Sequence, residues 1–171
     1  TVQVLKIINS SLFSLPKPVE DLQAALVYLG TDMLKQWAMM IAFLSNGNAH
    51  IEACRFVLLR AKTCELLCLQ DKALADSASS AFLVGLVSGI NILLKVSLQD
   101  FLSQVSLSEE INQAVLGNES GLGEILKSVR QLEYTIAQAP ENLQGSSVEL
   151  LNVYQEASQW VAGIITALKN K

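Results

Sequence analysis

The sequence predicts an all-α fold, a single-domain helical bundle of about eight or nine helices. Three observations carry this. Apolar residues recur at i, i+3, i+4 and i+7 in one segment after another, no stretch alternates strictly between hairpin turns, and Ser, Gly and Pro interrupt the chain at helix-length intervals. The segment at the centre is SAFLVGLVSGINILL, residues 80–94, which is apolar on every face and therefore reads as a buried central helix. It is too short, and too interrupted by Gly85, Ser88, Gly89 and Asn91, to span a bilayer, which takes roughly 20 consecutive apolar residues. Its small residues let neighbouring backbones come close and leave its middle almost without chemistry.

In chain order, residues 1–9 read as helical, and SSLFSLPKP then breaks the pattern, with Pro16 and Pro18 restricting the backbone. Leu22, Ala25, Leu26 and Leu29 mark a second helix that stops at Gly30. Thr31 caps a third, with Leu34, Trp37, Ala38, Ile41 and Leu44 on one face, before SNGN ends it. Residues 51–69 form a long helix whose several faces are nearly all apolar, so Arg60 and Glu65 need partners if it is enclosed. After QDKALAD comes the central helix. A short helix around Leu98, Phe101 and Leu102 follows, and then one capped by Ser108 with Glu109 and Glu110 in its first turn. GNESGLG turns the chain into an amphipathic helix carrying Ile125, Leu126, Val129, Leu132 and Ile136. Ser146 and Glu149 are spaced as a capping box before a last helix with Leu150, Tyr154, Ala157, Val161, Ile164 and Leu168 on one side.

The length of 171 residues suits one domain with one sizeable core. Hydrophobic residues make up 51% of the chain and charged ones 16%, which leaves apolar surface for a partner or for further chain. The first residues form an apolar helical set with no cap before it, so the chain is expected to be a piece of a longer protein. The net charge of −4 includes no basic stripe in either half, which argues against nucleic acid or anionic lipid as a partner. Cys54, Cys64 and Cys68 are odd in number and lie in one apolar helical stretch, which fits thiols in a reducing compartment. With no signal or transit sequence legible, the expected location is the cytoplasm.

Catalytic chemistry is scarce. The one histidine, His50, sits beside a loop and reads as a surface or capping residue. The cysteine spacing differs from the close pairs of zinc ribbons, and there is no nucleophile elbow and no phosphate-binding glycine loop. Glu109 and Glu110 suit a helix start rather than acid–base catalysis, and Trp37 and Trp160 lie on apolar packing faces. No cofactor is expected.

The run LKIINSSLFSLPKPVEDLQAALVYLGTDMLKQWAMM, with Leu5, Ile8, Asn9, Ser10, Phe13, Pro16, Pro18, Ala25, Leu29 and Gly30, resembles the opening of HDOD domains. These are bacterial output domains related to HD-type metal phosphohydrolases. AFLVGLVSGINILL, which contains Gly85, and VSLSEEINQAVLG followed by GLGEILKSV are similar to the HDOD variety found after an EAL domain, the cyclic di-GMP phosphodiesterase module. The resemblance covers nearly the whole chain and fades after about residue 137. It implies an HD-like fold over residues 1–171, as the C-terminal part of an EAL-HDOD-type protein. Asn9, Ser10, Phe13, Gly30 and Gly85 then become structural family positions, with Asn9 and Ser10 as capping groups.

The resemblance also places Ser88 and Gly89 where active HD enzymes carry a metal-binding His-Asp pair. The long preceding helix has no histidine, and Asp100 is the only aspartate after residue 81. The expectation is a non-catalytic signal-transduction domain without metal, linked to cyclic di-GMP signalling. It would act through a protein partner, either an EAL module of its own chain or a second copy of itself. The rival expectations are a divergent metal-dependent phosphohydrolase and a small-ligand sensor with an apolar pocket near Ser88 and Gly89.

Overall fold

The computed structural model describes residues 51–104, 107–119, 121–138, 143 and 147–169. The expected helices before residue 51, together with Asn9, Ser10, Phe13, Gly30 and His50, lie outside the described residues. The fold is all-α. Among the described residues there are seven α-helices and no strand, whereas about eight or nine helices were expected of the whole chain. They are α1 (Ile51–Gln70), α2 (Ala78–Val87), α3 (Ile90–Leu94), α4 (Leu98–Gln104), α5 (Glu109–Leu116), α6 (Leu122–Gln138) and α7 (Val148–Lys169). No described helix is long and apolar enough to cross a membrane.

Helix α1 is packed from several directions, as its apolar faces demand. Its first half buries Cys54, Val57, Leu58 and Ala61 with Phe82, Leu86, Ile90 and Leu93 and with Val161, Ile164 and Ile165 of α7. In its second half, Cys64 and Cys68 join Ala81, Leu83, Val84 and Val87, Ile111 and Val115 of α5, and Leu126 and Val129 of α6. α2 contributes to both clusters, and every residue from 81 to 90 is buried. The connection from α1 to α2 is a series of turns closed by Asp71, Leu74 and Ser77 amides, with Asp71 Oδ1 accepting from the Ala73 amide at 2.9 Å. A short 3-10 turn, Ala75–Ser77, leads into α2.

The contact between α1 and α2 is so close that it admits no side chain at Gly85. A Cβ there would lie 2.5 Å from the Ala61 Cα and 2.9 Å from the Ala61 nitrogen, both backbone atoms. Local signals set the outer helices. Ser108 Oγ accepts from the Ile111 amide at 3.4 Å to start α5, and Gly117 ends it at a φ of 106° that favours glycine.

Ser146 of the expected capping box lies outside the described residues; α7 begins at Val148, and Ser147 Oγ accepts from the Leu150 amide at 3.1 Å. The structure corrects two expectations. Ile136 is exposed, because the buried stripe of α6 runs through Leu122, Leu126, Val129 and Glu133 and has turned away from 136 by the last turn. The stretch 80–94 is two helices meeting at Ser88 and Gly89.

Gly85→Ala is expected to lower stability by about 1–2 kcal/mol, because overpacking two backbones outweighs the gain of about 1 kcal/mol in helix propensity. Urea unfolding followed by circular dichroism measures it, and an unchanged or higher midpoint would contradict the close approach.

Candidate functional site

The break at Ser88 and Gly89 has a hydrogen-bonding cause. Ser88 Oγ donates back to the Gly85 carbonyl at 2.7 Å, and the Ile92 amide donates to the Gly89 carbonyl at 3.0 Å, one residue short of the α-helical partner at Ser88. The Ser88 carbonyl is thereby released from the helix. Gly89 allows the turn because a Cβ there would meet Val57 Cγ2 at 2.5 Å and Cγ1 at 2.8 Å.

Two arginines address the released oxygen. Arg60 of α1 donates from Nη1 to Ser88 Oγ at 3.2 Å and to the Ser88 carbonyl at 3.5 Å, while Arg130 of α6 donates from Nη2 to the same carbonyl at 3.4 Å. Glu133, one turn further along α6, takes the rest of the Arg60 guanidinium. Nε lies 3.0 Å from each carboxylate oxygen and Nη2 2.6 Å from Oε2, the forked geometry that suits arginine and a carboxylate. Both side chains are almost sealed from water, at 8% and 7% exposure. The Phe56 ring lies against the Arg60 guanidinium, 4.9 Å from its centroid.

Arg130 sits at the exposed rim of this cluster. Partial desolvation, with repulsion from Arg60 next in size, pulls its pKa below the usual arginine value, against the Glu133 charge. On the α7 side, burial and then the Glu133 charge raise the Tyr154 phenol. An open cavity of about 410 Å³ lies over the cluster, lined by Arg60, Arg130 and Glu133 and by Phe56, Asn91 and Tyr134. The pocket beside Ser88 thus carries charged and polar groups among its apolar lining.

These residues do not fit a divalent metal ion. At the positions where the resemblance places metal ligands, Gly89 has no side chain and the Ser88 oxygens face two guanidinium groups. The nearest carboxylate gives both oxygens to Arg60. A divalent cation would have to sit beside fixed positive charge. Among the described residues, no group of three His, Cys, Asp or Glu side chains converges to hold one.

Asp100 is exposed in the first turn of α4, where its amide donates to Ser97 Oγ, away from this site. Glu109 and Glu110 are exposed in the first turn of α5, and Trp160 packs edge-on against Phe82 with centroids 6.2 Å apart. Lys62, 2.5 Å from Glu65, supplies the partner that Glu65 needed. Sequence reasoning singled out Arg60 as a charge in need of a partner but missed Glu133 and Arg130. The available signal was Glu133 itself, an acidic residue on the apolar stripe that contains Leu122, Leu126 and Val129.

The fold and the site together define an all-α, HD-like helical domain with an arginine–glutamate pair buried against the joint between α2 and α3. The chain belongs to the HDOD family, whose HDOD domain profile matches residues 1–100. It is similar to the uncharacterized protein YuxH of Bacillus subtilis (strain 168), 29% identical over 172 residues that cover 96% of this chain and 41% of that protein. It is also similar to the cyclic di-GMP phosphodiesterase CdgJ of Vibrio cholerae serotype O1, 26% identical over 125 residues that cover 72% of this chain and 29% of that protein. The chain thus spans less than half the length of either relative. No solved structure matches it.

Removing one partner of the buried pair leaves the other charge without compensation. Glu133→Gln is expected to cost about 3–5 kcal/mol, whereas the double variant Arg60→Met, Glu133→Leu removes both charges and should unfold at a midpoint closer to that of the parent. Urea titrations of the three proteins test this, and a fully stable Glu133→Gln protein would contradict the pair's role.

Burial pushes the Cys64 thiol up from 9.0 to about 12, so it stays protonated in the fold while the unfolded thiol ionises near pH 9. Its contribution to stability is complete below pH 9.0 and is lost as pH rises toward 12. Alkylation of Cys64 at pH 9.0 should proceed only as fast as the chain opens; labelling that follows simple thiol titration would refute this.

Proposed function

We propose that this HDOD domain is a non-catalytic bacterial signal-transduction module that acts in the cytoplasm by protein–protein contact and is linked to cyclic di-GMP signalling. The observation that supports the reading is the closure of Arg60, paired with Glu133, onto Ser88. Hydrolysis of the HD type needs imidazole and carboxylate ligands to generate hydroxide from metal-bound water. Here that corner carries a guanidinium with its carboxylate already engaged.

The link to cyclic di-GMP is supported by similarity to CdgJ, a cyclic di-GMP phosphodiesterase. Because both relatives are more than twice as long as the matched part, the favoured partner is another module of the same polypeptide, an EAL domain preceding this one. A second copy of the chain is the other partner of the same kind. The 51% hydrophobic content supplies apolar surface for either contact.

The purified chain, incubated with manganese, nickel or magnesium and a phosphodiester panel, is expected to hydrolyse nothing and to retain no stoichiometric metal. In light scattering and calorimetry it should dimerise or bind an EAL module. A chain that stays monomeric at high concentration and binds no such module counts against the contact reading. Stoichiometric metal that is lost on changing His50 or Asp100 would move the protein to the phosphohydrolases.

A further inference from the structure

The charge in the cavity beside Ser88 does not balance. It is lined by two guanidinium groups and one carboxylate, and both oxygens of that carboxylate are taken by Arg60. Among the described residues, Arg130 makes a single long bond, to a neutral carbonyl, and forms no ion pair. A guanidinium carries five N–H donors in a planar fork, so several of them remain available at the cavity rim.

The surroundings of that fork are equally specific. Tyr134, 62% exposed, and Phe56 line the same cavity and add aromatic surface to it. Asn91, exposed at the start of α3, adds an amide that can both donate and accept. The volume of about 410 Å³ lies within the range of small-molecule sites.

We infer that this cavity binds a small organic anion, a phosphate or carboxylate group carried on a flat ring, with Arg130 holding the anionic group and Tyr134 and Phe56 flanking the ring. Arg60 stays paired with Glu133 in the core, so the net positive charge at the rim is that of Arg130. An anion at the rim also offsets the two effects that lower the Arg130 pKa, desolvation first and repulsion from Arg60 second. The ligand would seat beside the joint between α2 and α3, on a face that connects α1, α3 and α6.

The test uses AMP, benzoate and inorganic phosphate as probes, with uncharged adenosine as the control, and reads binding by calorimetry and by amide shifts of residues 88–92. AMP and benzoate are expected to bind and adenosine to bind far more weakly. Arg130→Ala should weaken AMP by about tenfold or more, with partial rescue in Arg130→Lys, because a point charge replaces a fork. Tyr134→Ala should weaken AMP severalfold and leave inorganic phosphate unchanged. Both side chains are exposed, so circular dichroism should show these variants folded.

No binding of any probe up to about 5 mM overturns the inference. Equal AMP affinity in the parent and Arg130→Ala overturns it too, as does equal binding of AMP and adenosine. Such a failure leaves the reading as a protein-contact module intact, since that reading is tested by oligomeric state and metal content.

Discussion

The constraint on which the central part of this structure depends is the buried pairing of Arg60 with Glu133. A guanidinium cannot be taken out of water on a helix as apolar as α1 unless its charge and its donors are met. The geometry meets them with a forked carboxylate on one side and the Ser88 hydroxyl and carbonyl on the other. Such a pair contributes little net stability compared with a well-packed apolar substitute. What it does is set position. It ties α1 to α6 and to the end of α2, so the three helices must keep one register for the charges to remain compensated.

The same contact explains why the most apolar stretch of the chain is not one continuous helix. The hydroxyl of Ser88 bends back onto Gly85, its carbonyl turns to two arginines, and the following amides close on Gly89 instead. The bend is tolerated because Gly89 lies directly on Val57 and Gly85 lies directly on Ala61, leaving no room for side chains at either place. A corner that the resemblance would assign to ion ligands is thus built from backbone oxygen, hydroxyl and guanidinium.

Much of the fold could be read without the structure. The spans of α1, α5 and α6 and the Ser108 cap follow from spacing and capping, which are local properties of neighbouring residues. The enclosure of residues 81–90 and of Leu93 followed from the lack of any polar stripe, whereas Ile92, expected inside with them, is exposed. The break at Ser88 could not be read in this way, since it depends on side chains 28 and 42 residues away. The pairing of Arg60 with Glu133 spans 73 residues, so the sequence signalled only that each charge stood on an apolar face and needed an answer.

By itself, then, the sequence determined an all-α domain with a buried centre, thiols inside a long helix, and serine and glycine in the middle of its most apolar stretch. Hydrophobic periodicity and capping act over a few residues, and the order of amino acids specifies them directly. Only the tertiary structure decided that Arg60, Glu133 and Arg130 converge on that serine and open a charged cavity beside it. Charge compensation in a low-dielectric interior depends on which helices are brought together, and that is a property of the packed chain.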